Sequence, residues 1–221
     1  MKRHCFTGKQ RAFLWSGLAL LALLLLAALY LLSNRPAFTP AQTIREAERR
    51  EATQQTTLLD TVSMDDTDLF LLGNQDVLMV VPFPQHVLSR LGYAGHSLLT
   101  LDPDQPLYDQ GQEGVPLRCA QLILDGEDNV PRFQLLVGIT DQPEAVTVTL
   151  APENGTLWSG TVPLEESPFA YRYFWVWADL PPQVEAETNT DYTVTLLDEA
   201  GQPLDQLTGD GFSLWGHGRL P

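Results

Sequence analysis

Hydrophobic positions change their spacing twice along the chain, and each regime predicts a different kind of element. From Ala12 to Leu32 there is no spacing at all: AFLWSGLALLALLLLAALYLL is 21 uncharged residues, apolar on every side. At about 1.5 Å per residue such a helix covers a hydrocarbon core of roughly 30 Å, and a helix pairs its own backbone on the way across. Trp15 and Tyr30 lie near the ends of the run, where amphipathic rings favour the interface. Cleaved signal peptides carry apolar regions of about 7–15 residues followed by small-x-small sites. This run is longer, and Leu31-Leu32-Ser33-Asn34 offers no such site. The expectation is an uncleaved transmembrane helix over residues 12–32.

After Ser33–Phe38, Thr39-Pro40-Ala41-Gln42 has the form of an N-cap, a proline at the first helical position and a glutamine three residues past the cap. The helix predicted from there to about Gln55 has a thin apolar face, Ala41, Ile44, Ala47 and Ala52, and reads as a solvated juxtamembrane stalk. From Leu58 the helical spacing disappears. Leu69–Leu72 and Val77–Val81 flank Gly73-Asn74-Gln75-Asp76 as a β-hairpin should, and Leu98–Leu101 is a further short strand.

Beyond residue 116 the chain predicts seven strands: Leu117–Leu124, Phe133–Thr140, Ala145–Leu150, Leu157–Pro163, Tyr171–Ala178, Tyr192–Asp198 and Pro203–Leu207. Val146, Val148 and Leu150 alternate with threonines, as do Tyr192, Val194 and Leu196, which is the period of half-buried strands. The fold class predicted is mainly β: a membrane helix and juxtamembrane helix, then a small β-rich module, then an antiparallel sandwich. The divisions are a tail (1–11), the span (12–32), a linker with its helix (33–57), the small module (58–112), the sandwich (113–215) and a C-terminal tail (216–221). Leu180-Pro181 followed by Thr190-Asp191-Tyr192-Thr193-Val194 resembles the Leu-x-Pro-x-Thr-x-Tyr-x-Val region of fibronectin type III and related immunoglobulin-like domains. That resemblance implies an immunoglobulin-like sandwich in which Tyr192 forms a tyrosine corner, its hydroxyl bonded to upstream backbone. It implies binding or spacing rather than catalysis.

Charge sharpens the topology. Lys2, Arg3, Lys9 and Arg11 precede the apolar run, whereas all 28 acidic residues fall at or after Glu46; from Ser33 onward the balance is 9 − 28 = −19. The cations place the N-terminus in the cytoplasm and the acidic remainder outside it. Arg35, Arg45, Arg49 and Arg50 on the far side weigh against this, but the four N-terminal cations lie nearer the span. So acidic a body repels nucleic acid.

Candidate chemistry is sparse. Cys5 and Cys119 lie on opposite sides of the expected bilayer, so no disulfide joins them, and Cys119 reads as a small buried hydrophobe. His4, His86, His96 and His217 match no metal spacing, and no serine lies in a nucleophile elbow. Paired carboxylates, which an envelope hydrolase would need, are a property of the fold rather than of spacing. Asp125, Glu127 and Asp128 around Gly126 form the best oxygen-rich loop for a calcium ion; a solvated turn is the simpler reading. Asp65, Asp66 and Asp68, and Asp102 with Asp104, are similar clusters. Asn154-Gly155-Thr156 is a glycosylation sequon, meaningful only in a eukaryotic secretory pathway.

In the strand around Phe174, Tyr171, Tyr173, Trp175 and Trp177 occupy one alternating face, with Phe174 and Val176 on the other. Such ring area means either a face covered by a neighbouring module or an exposed strip for a protein, peptide or glycan. No cofactor is implied. The functional expectation is a membrane-anchored extracytoplasmic interaction module for a protein or cell-wall partner. The alternative is a sensory or accessory subunit acting through its transmembrane helix.

Overall fold

The computed structural model describes residues 8–34, 37–64, 66–92, 97–101, 117–125, 131–152, 158–179, 192–209 and 214–219. Helices α1 (Gly8–Asn34) and α2 (Pro40–Arg50) are followed by strands β1 (Thr57–Met64), β2 (Thr67–Gly73) and β3 (Leu78–Pro84), helix α3 (Val87–Gly92) and strand β4 (Leu99–Leu101). These four strands make one antiparallel sheet in the order β1-β2-β3-β4. Strands β5 (Leu117–Asp125), β6 (Pro131–Thr140), β7 (Thr147–Pro152), β8 (Gly160–Pro163), β9 (Glu165–Glu166), β10 (Arg172–Asp179), β11 (Tyr192–Leu197), β12 (Pro203–Leu207) and β13 (Leu214–Arg219) divide between two more sheets. Their orders are β13-β5-β6-β10-β9 and β12-β11-β7-β8. The mainly β expectation holds, and the seven strands predicted after residue 116 are present with small shifts at their ends.

The α1 helix carries the apolar run. Its described side chains, residues 15–30, are all exposed. Over the residues whose side chains are described, no helix is long and apolar enough to cross a membrane. For α1 that stretch is about 24 Å at 1.5 Å per residue, against a hydrocarbon core of roughly 30 Å. The transmembrane helix expected over residues 12–32 is therefore not supported by the described residues.

Helix α2 begins as its sequence dictates: Thr39 Oγ1 accepts the Gln42 amide at 3.3 Å, and Gln42 Oε1 accepts the Phe38 amide at 3.0 Å. It ends sooner than expected, at Arg50, and Ala52 takes a left-handed φ of 52° in the turn that follows. The solvated-stalk expectation is corrected. Thr43 and Ala47 are buried, and Ile44 and Ala47 pack on the outer face of the first sheet against Phe70, Leu72, Met79, Val81 and Phe83. The small side chains at 43 and 47, one turn apart, let the helix backbone come close to that face.

The predicted hairpin forms as β2 and β3. Asn74 closes it, its Oδ1 accepting the amides of Asp76 at 2.8 Å and Val77 at 2.9 Å. Because the layer is covered on both faces, β2 and β3 read as continuous apolar runs. Leu69, Leu71, Leu78 and Val80 face the middle sheet, and the intervening residues face α2.

The middle sheet is apolar on both faces as well. Ala120, Leu122, Phe133, Leu135, Val137 and Ile139 join Leu69, Leu71, Leu78, Val80, Leu99 and Leu101 in one core. Leu117, Cys119, Ile123, Leu136 and Phe174 meet Val148, Leu150, Tyr192, Val194 and Leu196 in another. The order of layers is thus α2, first sheet, middle sheet, third sheet, and the described strands of the small module (58–112) share a core with the sandwich. The expected C-terminal tail, 216–221, is also corrected: β13 runs parallel to β5, with Leu214 opposite Ala120 and Arg219 opposite Asp125.

At the centre of the stack Gly138 is flanked in register by Cys119 and Phe174. A Cβ there would collide with the Phe174 ring and stand 2.8 Å from the Arg118 carbonyl oxygen. Gly138→Val should therefore lower stability by about 1–3 kcal/mol, the usual size of an overpacking penalty. Thermal denaturation should show the midpoint falling by ~2–4 °C for each kcal/mol; an unchanged midpoint would mean that the ring does not lie over this glycine.

Candidate functional site

Strand β10 carries the aromatic strip, and pairing with β6 along its whole length fixes which way each side chain points: Tyr173 lies opposite Ile139, Trp175 opposite Val137, Trp177 opposite Leu135. All three partners belong to the core shared with the first sheet, so the odd-numbered rings face that sheet. Tyr171 and Tyr173 are 8% and 6% exposed, and Trp175 and Trp177 are half-buried against the same core. The indole N–H of Trp175 donates to Asp60 Oδ2 of β1 at 2.9 Å. Trp177 meets Phe133 edge-on at 5.5 Å, and Phe169 stacks on Tyr171 at 5.8 Å.

The strip offered by the sequence as an interaction surface is thus an internal seam for Tyr171 and Tyr173, and a seam margin for Trp175 and Trp177. In its partner layer, β1 to β4, strand β1 has little hydrophobic alternation. Asp60, the strongest polar link across the seam, follows an irregularity between Leu58 and Asp60 that leaves Leu59 packed on the core.

Two phenols are deeply placed and differ in satisfaction. Tyr192 is fully buried at the start of β11, and its hydroxyl lies 2.8 Å from the carbonyl oxygen of Trp158, 34 residues upstream rather than the few of a tyrosine corner, and 2.9 Å from Gln134 Oε1. One hydroxyl proton serves one acceptor. Turning the Gln134 amide so that its NH2 faces the phenol oxygen satisfies both contacts and employs Nε2, which otherwise has no partner. Residues 180–191, with Leu180, Pro181 and Thr190 of the resemblance, lie outside the described residues. The Tyr171 hydroxyl points at Gly73, where a Cβ would collide with it, and has no hydrogen-bond partner among the described residues.

The remaining candidates do not converge. Asp125 closes β5, but its side chain, Glu127 and Asp128 lie outside the described part, as do Asp65, Asp102, Asp104, His96 and the sequon. Among the described residues no group of three His, Cys, Asp or Glu side chains could hold a metal ion. His86 Nε2 lies 3.1 Å from Asp66 Oδ2, with both side chains about 70% exposed. Asp68 Oδ1 accepts from Ser63 at 2.7 Å and Gln85 at 3.0 Å. Cys119 is buried, and burial together with the Asp205 carboxylate pushes its thiol well above its ordinary range.

A cleft of about 210 Å³ lies at one end of the sandwich. That is below the ~300 Å³ where ligand pockets begin. Its Arg172 is committed to structure, donating to the carbonyls of Ala145 and, at 3.1 Å, Pro143, and reaching Glu166 at 3.2 Å.

Compared with protein-family models, curated proteins and solved structures, the chain matches none. What the geometry defines is a class, a mainly β protein of three stacked sheets with an apolar N-terminal helix.

Burial raises the phenols of Tyr171, Tyr173 and Tyr192 and the thiol of Cys119. Each is an acid whose folded pKa exceeds its unfolded one, so its contribution is fully present below the unfolded value and is lost as pH rises towards the folded value. Melting midpoints should be flat from about pH 7 to 8 and fall as the pH approaches and passes the ordinary phenol value of 10.0. Tyr171→Phe removes a buried hydroxyl that lacks a partner, a defect worth roughly 1–3 kcal/mol. It should hold or raise the midpoint at pH 7 and soften the alkaline fall; a clear loss at pH 7 would show that the hydroxyl is bonded.

Proposed function

We propose that this chain is a single-pass membrane protein that holds a β body outside the cytoplasmic membrane as an interaction module for a protein or cell-wall partner. The observation that carries the reading is α1. It is apolar all round, its described side chains are exposed, and it is framed by cations before it and 28 acidic residues after it. A Leu side chain moved from water into hydrocarbon gains about 1.5–3 kcal/mol, and nine large apolar side chains of α1 between Trp15 and Leu29 are exposed. A bilayer is the medium that removes that surface from water.

The strand order β5-β6-β10 facing β12-β11-β7-β8 supports the immunoglobulin-like reading of residues 117–207, a scaffold commonly used for recognition. With the aromatic strip occupied by the first sheet, the partner face is the outer side of the third sheet. There Thr161, Thr149, Thr195 and Gln206 stand in register across four strands as a flat polar row. Crosslinking from native membranes should capture a partner with the wild-type chain and lose it with Thr149→Arg or Thr195→Arg. Capture unaffected by either change would place the partner elsewhere, and no capture at all would overturn the binding role.

Contact between α1 and α3 favours a second reading, an accessory subunit that acts through its membrane helix. Replacing Ala12–Leu32 by an unrelated span of equal length should be tolerated by a tether and should abolish a signal. Topology is tested by protease on spheroplasts, which should remove everything after about Arg35 and leave the N-terminal tail intact. Protection of the acidic part would reverse the orientation.

A further inference from the structure

Apart from α1, the exposed large hydrophobics among the described residues are Phe38, Leu58, Val87, Val146 and Leu204. Two of these five, Phe38 and Val87, are brought to one place. Arg90 of α3 donates from Nη1 to the Phe38 carbonyl at 3.0 Å, from Nε to the Pro84 carbonyl at 2.7 Å and from Nη2 to the Gln85 carbonyl at 2.7 Å. Its guanidinium also lies 4.3 Å from the centre of the Phe83 ring. These bonds fasten the segment that follows α1 to α3, and α3 itself touches α1.

Distance then fixes where this patch must be. Phe38 follows Asn34, the last residue of α1, by four residues. Four residues span at most about 14 Å, and the headgroup layer on each side of the hydrocarbon core is roughly 5–8 Å thick. With α1 as the span, Phe38 and α3, which Arg90 bonds to it, lie within about 14 Å of the end of α1, in or beside that layer. Phe38 is 40% exposed and Val87 59% exposed. Arg90 bonds only to carbonyls and has no carboxylate partner among the described residues, so its charge is uncompensated there. The acidic side chains beside Gln85 have other partners: Asp66 meets His86, and Asp68 accepts from Ser63 and Gln85.

We propose that Phe38, Val87 and Arg90 form a membrane-seating surface. The two apolar side chains enter the headgroup–acyl boundary of the leaflet from which α1 emerges, and the Arg90 guanidinium serves lipid phosphate. The occupant is the phospholipid surface itself, and the proposal rests on α1 being the membrane span. Its consequence is that the β body stands at a fixed tilt against the bilayer, with no flexible stalk between them.

The test uses the full chain with Cys5→Ser, reconstituted into phosphatidylcholine vesicles containing a lipid spin-labelled near the top of the acyl chain. Single cysteines at Val87→Cys, Phe38→Cys and, as a control on the third sheet, Val146→Cys carry a small fluorophore; buried Cys119 stays unlabelled. Quenching at 87 and 38 should be at least twofold that at 146, and Arg90→Gln should reduce it at 87. Protein that resists alkaline carbonate extraction yet shows equal quenching at all three positions overturns the seating surface while leaving the anchor intact. Protein released by carbonate overturns both. If Val87→Cys disturbs α3, Phe38→Cys gives the same reading independently.

Discussion

Everything in this fold depends on the middle sheet carrying an apolar core on each of its two faces. In β6, Leu135, Val137 and Ile139 point one way and Gln134, Leu136 and Gly138 the other; in β10, Tyr173, Trp175 and Trp177 oppose Phe174 and Val176. A sheet of this kind is stable only between two covers. An aromatic side chain buries about 150–250 Å², so at ~25 cal/mol per Å² Tyr171 and Tyr173 alone account for roughly 8–12 kcal/mol of burial. That is an upper estimate, and it is as large as the net stability of a typical domain, about 5–15 kcal/mol. Removing the first sheet would expose these rings together with Ala120, Leu122, Leu135, Val137 and Ile139 of the middle sheet. The first sheet is in turn apolar on its outer side, where α2 covers it.

This chain of covers links the α1 end of the molecule to the far sheet. Helix α2 follows α1 closely, packs on the first sheet, and is fastened through Phe38 and Arg90 to α3. The polar contribution across the two seams is small and specific. Trp175 to Asp60 ties β10 to the edge strand β1, and Tyr192 ties β11 to Trp158 and Gln134. Each is a hydrogen bond worth about 1 kcal/mol net, enough to set alignment where apolar contact sets adhesion.

Much of the secondary structure was legible because its signals are local. The N-cap at Thr39, the Asn74 turn and the Val-Thr alternation of β7 and β11 each predict an element from a few neighbouring residues, and each element is present. What failed to show was decided by distant parts of the chain. Strand β1 has no clean alternation, since an edge strand with mixed exposure leaves no period to read. Strand β13 is short, contains Gly216 and Gly218, and pairs in parallel with β5 about 90 residues earlier. The stalk reading of α2 failed because a threonine and an alanine make an adequate buried face when the surface opposite is all Phe, Leu, Met and Val. For the aromatic strip the sequence left two outcomes open, and the choice between them lay in a sheet some 100 residues away.

The central claim is that the first sheet and the sandwich are one cooperative body, joined through the rings of β10. Native-state hydrogen exchange on the full chain in micelles tests it most directly, by comparing opening free energies for amides in β2 and β3 with those in β6 and β10. The account predicts equal values that shift together when Trp175 is replaced by alanine. A first sheet that exchanges through a separate opening of lower free energy, leaving β6 and β10 protected, would contradict it.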